Sequence, residues 1–117
     1  MNRRGVDAVD KEIAKEKAEA LGLTGRRLEQ ALQALRGLDA RLAEASRAPA
    51  PEEVRQRAEL VQQAVERVTS MLVQREAQGL RDPGYVFKFY SVPAEVVARL
   101  GIRTANREFT RGSPCNR

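Results

Sequence analysis

The residues in this sequence that are best suited to binding a charged ligand are arginines near its C-terminal end. Arg103, Arg107 and Arg111 recur at every fourth position, and residues 102–117 hold four arginines against one glutamate in a chain of net charge +5. If this segment forms a helix, the three guanidinium groups lie on one face and can contact the phosphates of a nucleic acid. The alternative is a flexible, solubilising basic tail. Weak nucleic-acid binding is therefore one functional prediction.

The groups most often used in catalysis and metal binding are scarce. The chain contains no His, and its one cysteine, Cys115, lies near the C-terminus. His and Cys are the usual zinc and copper ligands, and His is the usual general base of a nucleophilic triad. The carboxylates have the spacing of solvated helix faces. We therefore expect no catalytic residue, no cofactor, no metal site and no enzymatic activity.

The same features favour a cytoplasmic protein. One cysteine cannot form an internal disulfide, which fits a reducing compartment. No apolar run approaches the roughly 20 residues that a membrane-spanning helix needs, and the first residues lack the apolar core of a signal peptide. We expect no association with membranes.

The elements that position these residues are predicted by two apolar stripes. Leucines recur every seven residues in the first half of the chain, and valines follow a similar 4-3 spacing in the second, as in helices packed by knobs-into-holes contacts. Leu32, Leu60, Ala64 and Met71 flank this seam, so a charge at Leu32 should be milder than one at Leu35. The predicted packing seam consists of Leu21, Leu28, Leu35, Leu38, Leu42, Val54, Val61, Val65, Val68 and Leu72.

The predicted fold is all-α, a long antiparallel helical hairpin of coiled-coil type. We expect one domain over residues 1–101, with helices at about 7–46, 51–78, 83–90 and 92–100. Two prolines, Pro49 and Pro51, separate the long helices. At Gly22 and Gly25 the first helix either breaks, with Thr24 capping a second segment, or continues with a kink, the glycines then allowing a neighbouring backbone to approach closely. We expect the kinked, continuous helix.

The segment after Gly79 holds most of the aromatic residues. Asp82 and Pro83 favour a helix start, so residues 85–90 are predicted to be a short helix rather than a strand. The aromatic side chains are expected to cover the end of the hairpin as core rather than to form a ligand-binding surface.

Residues 73–101, together with residues 16–32, resemble a family of short bacterial proteins known chiefly as uncharacterised. This resemblance implies no activity. It suggests a recurring junction made of Gln74, Arg75, Glu76, Gly79, Leu80, Arg81 and Asp82. The junction is either a structural corner, in which Arg75 or Arg81 pairs with Glu76 or Asp82, or a partner-docking corner formed by Arg75, Arg81 and Asp82.

The leading functional prediction is a noncatalytic interaction protein. The apolar faces are wider than a two-helix seam requires, so either the C-terminal segment or a second copy of the chain must cover them. We expect a homodimer, and we expect the protein to dock a macromolecular partner. The alternative is a small basic protein that associates with nucleic acid through its C-terminal arginines.

Overall fold

A computed structural model describes the backbone of residues 3–101 and the side chains from residue 8 onward. Its elements are α1 (Arg3–Glu44), α2 (Pro51–Ala77), α3 (Pro83–Phe89) and α4 (Ala94–Ala98), and the described range contains no strand. Helices α1 and α2 form an antiparallel hairpin, and α3 and α4 pack against α2. The predicted fold class is confirmed. Within the described range, no helix is both long enough and apolar enough to span a bilayer.

The bend between the long helices is built from local hydrogen bonds. Pro51 is the first residue of α2, a position where its missing N–H is not needed. The side chain of Glu53 accepts a hydrogen bond of 2.8 Å from the backbone N–H of Ala50 and pairs with Arg47 at 2.8 Å. These contacts lower the pKa of Glu53 to about 2, with the Arg47 hydrogen bond as the largest cause. The bend thus fixes the start of α2.

The core runs along the hairpin and extends under the short helices. Thr24 Oγ1 donates to Gln74 Oε1 at 2.8 Å at one end of the hairpin, and Arg57 pairs with Asp39 nearer the bend. Val86 of α3 and Val96 of α4 join the same apolar cluster. Of the predicted seam, Leu28, Leu35, Leu38, Val61, Val65 and Val68 are buried, whereas Leu21, Leu42 and Leu72 are partly buried.

Four assignments around the seam need correction. Three residues predicted to flank it are buried in the core cluster, to which α3 and α4 add apolar side chains: Leu32, Ala64 and Met71. Val54, predicted to lie in the seam, is 57% exposed. It belongs to the first turn of α2, and α1 ends at Glu44, so little of α1 extends beside it.

Helix α1 continues without a break through both glycines, and only one of them is closely approached. A Cβ atom at Gly25 would collide with the hydroxyl of Tyr90 and touch Met71. A Cβ atom at Gly22 would meet only the tip of the Arg26 side chain, at 3.6 Å. Gly25 therefore lets the C-terminal aromatic segment lie directly against the backbone of α1.

The junction between α3 and α4 is attached to α1 through backbone carbonyls. Arg36 Nη2 donates to the carbonyl oxygens of Tyr90 and Ser91, each at 3.0 Å. Ser91 has a φ of 53°, in the left-handed region that non-glycine residues rarely adopt. The Arg36 contacts hold the chain at this unusual turn, which sets the direction of α4.

The burial of Leu32 gives a first prediction. Leu32→Asp should destabilise the protein by about 3–5 kcal/mol, as much as Leu35→Asp, because either change places a charge in a closed apolar core. Urea unfolding followed by circular dichroism measures both, with Gln33→Asp on the exposed face of α1 as the control. A Leu32→Asp variant no less stable than Gln33→Asp would contradict this description of the core.

Gly22 and Gly25 of α1 give a second prediction, in which the same substitution has opposite effects on stability. Gly22→Ala should raise the thermal midpoint, since Ala is favoured over Gly by about 1 kcal/mol inside a helix. Gly25→Ala should lower it, because the new methyl group forces Tyr90 away. If both variants gained stability equally in a thermal melt, Tyr90 would not pack against Gly25.

Candidate functional site

The C-terminal corner, which we define as residues 75–90, contains the predicted partner-docking residues. Helix α2 closes in a turn at Gly79, whose φ of 88° suits glycine, and the N–H of Leu80 donates to the carbonyl of Arg75 at 2.8 Å. The guanidinium carbon of Arg75 lies 4.7 Å from the centre of the Tyr85 ring, a cation–π distance. The corner is therefore organised around an arginine and an aromatic ring.

The other two predicted corner residues have separate positions. Asp82 caps α3, because its side chain accepts a hydrogen bond from the N–H of Tyr85 at 3.3 Å. Arg81 is exposed in the preceding turn. The predicted ion pairs of Arg75 or Arg81 with Glu76 or Asp82 are not found among the described residues. Arg75 contacts the Tyr85 ring instead, so the prediction that this junction is held by an ion pair was wrong.

The aromatic residues of α3 divide between the core and the surface. Phe87 and Tyr90 pack against the apolar cluster, as predicted. Tyr85 and Phe89 are 47% and 64% exposed, and their rings stack with centroids 5.5 Å apart and planes 17° from parallel. The prediction that the aromatics serve as core is therefore wrong for these two. Their i, i+4 spacing was the signal that could have placed both on one face of the short helix.

The stacked pair continues into the Tyr90 ring. Phe89 meets Tyr90 edge to face, with ring centroids 4.9 Å apart. Burial raises the pKa of the Tyr90 hydroxyl, and the nearby Glu29 carboxylate adds to the effect. Tyr90 therefore stays neutral and anchors the exposed rings to the hairpin.

A polar cluster joins α1, α2 and α4. Arg57 of α2 pairs with Asp39 of α1 at 2.7 Å and with Glu95 of α4 at 2.9 Å. The Arg57 hydrogen bond lowers the pKa of Glu95, and both carboxylates raise the pKa of Arg57. Arg57 thus holds the Glu95 carboxylate ionised, which makes it a poor proton donor at neutral pH. The cluster acts as a clamp on α4.

The arginines predicted to contact phosphates cannot be assigned to a site. Arg103, Arg107 and Arg111 lie outside the described residues, as does the predicted tail. Within the described part of the chain, no group of His, Cys, Asp and Glu side chains has the arrangement of a metal site.

Comparison with protein-family models, with curated proteins and with solved structures gives no match to this chain. The geometry of the described residues, namely an all-α hairpin with two short helices packed across it, is therefore the basis for a functional proposal.

The Arg57 cluster predicts an acid-dependent loss of stability. Because the pKa of Glu95 is lower in the folded protein than the value of about 4.3 expected when unfolded, its contribution is present above that value and lost as pH falls through the folded pKa. Glu95→Gln should therefore flatten the dependence of the thermal midpoint on pH in the acid range. Glu59→Gln, at an exposed position of α2 without a salt bridge in the described structure, is the control. Parallel pH profiles for Glu95→Gln and the parent would reject the clamp.

Proposed function

We propose that this protein is a noncatalytic helical interaction module that self-associates, as a homodimer, and docks a macromolecular partner. The observation that supports self-association is the N-terminal overhang, which we define as residues 8–20 of α1. Every side chain in the overhang is exposed. A helix that extends into solvent with apolar side chains on its surface is a typical docking element for another helix.

The overhang results from the unequal lengths of the hairpin helices. Helix α1 has 42 residues and α2 has 27. Just beyond the end of α2, Gln78 Nε2 donates to the carbonyl of Lys17 at 3.5 Å. The part of α1 before Lys17 therefore has little of α2 beside it. Most helical stability in proteins comes from tertiary packing, which this segment lacks, so a partner that covers it would stabilise it.

The composition of the overhang suits a second copy of the same chain. Val9 and Ile13 are 57% and 45% exposed and lie one helical turn apart. The charged residues around them have both signs, so two overhangs can approach without a large net repulsion. These charged residues are Asp10, Lys11, Glu12, Lys15, Glu16, Lys17 and Glu19.

The overhang is a better basis for a dimer than the hairpin faces named in the sequence prediction. Val86 and Val96 already join the core of the hairpin from α3 and α4, so the chain covers part of its own wide apolar face. The C-terminal corner, with Arg75 and the exposed Tyr85 and Phe89, is a separate surface that supports the partner-docking half of the proposal.

Self-association predicts a concentration-dependent mass. The chain has a mass of 13.0 kDa, so light scattering at micromolar concentration should give about twice that value for the parent protein. Val9→Gln combined with Ile13→Gln should shift the mass toward the monomer, because Gln retains helix propensity but removes the apolar surface.

The control is Ala18→Gln, on the opposite side of the overhang, which should leave the mass of the parent unchanged. A parent protein that stays monomeric throughout the micromolar range would refute self-association. A dimer that persists in the Val9/Ile13 variant would place its interface away from the overhang.

A further inference from the structure

The C-terminal corner contains an arginine whose charge is not paired with a carboxylate in the described part of the chain. No salt bridge to Arg75 is found there. The nearest acidic residues in sequence are Glu76 and Asp82, and the Asp82 side chain accepts a hydrogen bond from the N–H of Tyr85 instead. Arg75 contacts the Tyr85 ring, and a cation–π contact leaves most of the N–H donors of a guanidinium available. Arg75 can therefore bind a carboxylate supplied by a partner.

Arg75 is held in position for such a contact. Its side chain is partly buried in the last turn of α2 and lies over the Tyr85 ring. Its carbonyl oxygen accepts hydrogen bonds from the N–H groups of Gln78 and Leu80, at 3.0 and 2.8 Å, which caps the negative end of the helix dipole. A guanidinium that is already held loses less conformational entropy when it binds a carboxylate through two parallel hydrogen bonds.

Exposed apolar surface lies beside this charge. Tyr85 and Phe89 are the exposed aromatic pair, and Tyr90 borders Phe89. The contacts with Arg75, with each other and with Tyr90 engage faces of the rings, so the surface that remains suits aliphatic side chains packed against ring edges. The contact distances of 4.7 and 5.5 Å place Arg75 and Phe89 no more than about two helical turns apart.

The charge and the spacing of this surface suit an acidic amphipathic helix. Phosphate-bearing ligands are usually bound by several cationic groups, whereas a single carboxylate matches one guanidinium in charge and in geometry. In the described structure, Arg75 is the cation that contacts these rings. A helix places a carboxylate and an aliphatic side chain on one face, one or two turns apart, which is the separation between Arg75 and Phe89.

We propose that the C-terminal corner binds an acidic amphipathic helix of a partner protein. A Glu or Asp carboxylate of the partner pairs with Arg75, and its aliphatic side chains pack against Tyr85 and Phe89. This inference rests on the partner-docking half of the proposed function and adds the chemistry of the partner. It does not depend on self-association through the overhang.

The test lets the protein select its ligand from random sequences. The probe is a phage-displayed library of random peptides of about 16 residues, long enough for about four helical turns, selected on the full-length protein. The enriched peptides should share an Asp or Glu with Leu, Ile, Val or Met one or two turns away. Selection on Arg75→Gln should lose this pattern.

Variants separate the charge from the apolar contact when an enriched peptide is titrated in fluorescence anisotropy. Arg75→Gln should weaken binding roughly 10- to 100-fold, because a hydrogen-bonded ion pair is lost. Arg75→Lys keeps the charge without the planar fork and should weaken binding less. Phe89→Ala should weaken it roughly tenfold through lost apolar burial. The matched controls, Arg55→Gln and Val54→Ala, change exposed residues of α2 outside the corner and should bind as the parent does. Circular dichroism confirms that each variant is folded.

The carboxylate of the peptide provides the complementary measurement. Replacing its Glu or Asp by the matching amide should weaken binding to the parent by about the same factor as Arg75→Gln. The same replacement should have little effect on binding to Arg75→Gln, because the two groups form one contact and their effects are then not additive.

Three outcomes would overturn the proposal. Enriched peptides without a carboxylate, whose binding is lost in Phe89→Ala, would keep the corner as a docking surface but reject an acidic partner. Acidic peptides that bind Arg75→Gln as tightly as the parent would have their site elsewhere. Absence of any enrichment would reject both this inference and partner docking at the corner. Light scattering of the overhang variants tests self-association separately in each case.

Discussion

The packing of α3 and α4 across the hairpin is the interaction on which the rest of this structure depends. Two helices alone share a narrow seam, and a hairpin of this size encloses little apolar volume. Val86 and Val96 complete the core from the C-terminal side. Polar and steric contacts add to this apolar packing: Arg36 holds the carbonyls of the α3–α4 junction, and Gly25 leaves room for Tyr90.

The sequence predicted the long elements well because their signals are repeated many times. Apolar residues at 4-3 spacing recur over several turns, and two prolines mark the bend, so the hairpin and most of its seam followed directly. The errors occurred where a third element changes the burial. Leu32 joins a core to which α3 and α4 contribute Val86 and Val96, and Val54 is exposed because α1 ends at Glu44. Neither fact is encoded in the local periodicity.

The candidate site was predictable in part. The sequence pointed to the corner at Arg75, Arg81 and Asp82, and Asp82 with Pro83 indicated the start of α3. It did not indicate that Arg75 contacts a ring instead of a carboxylate. Nor did composition distinguish Tyr85 and Phe89 from Phe87 and Tyr90, because only the direction of a seven-residue helix separates the exposed pair from the partly buried one.

The overhang and the C-terminal corner share one end of the hairpin, since α2 finishes beside Lys17. A second copy that packs on the overhang would therefore lie beside the corner of the first. A partner that binds the corner could then contact both copies, and its second contact would form at a high effective concentration rather than by a new encounter. The avidity would thus depend on the difference in length between the two long helices. If α2 were as long as α1, it would cover the overhang and remove the apolar surface available to a second copy.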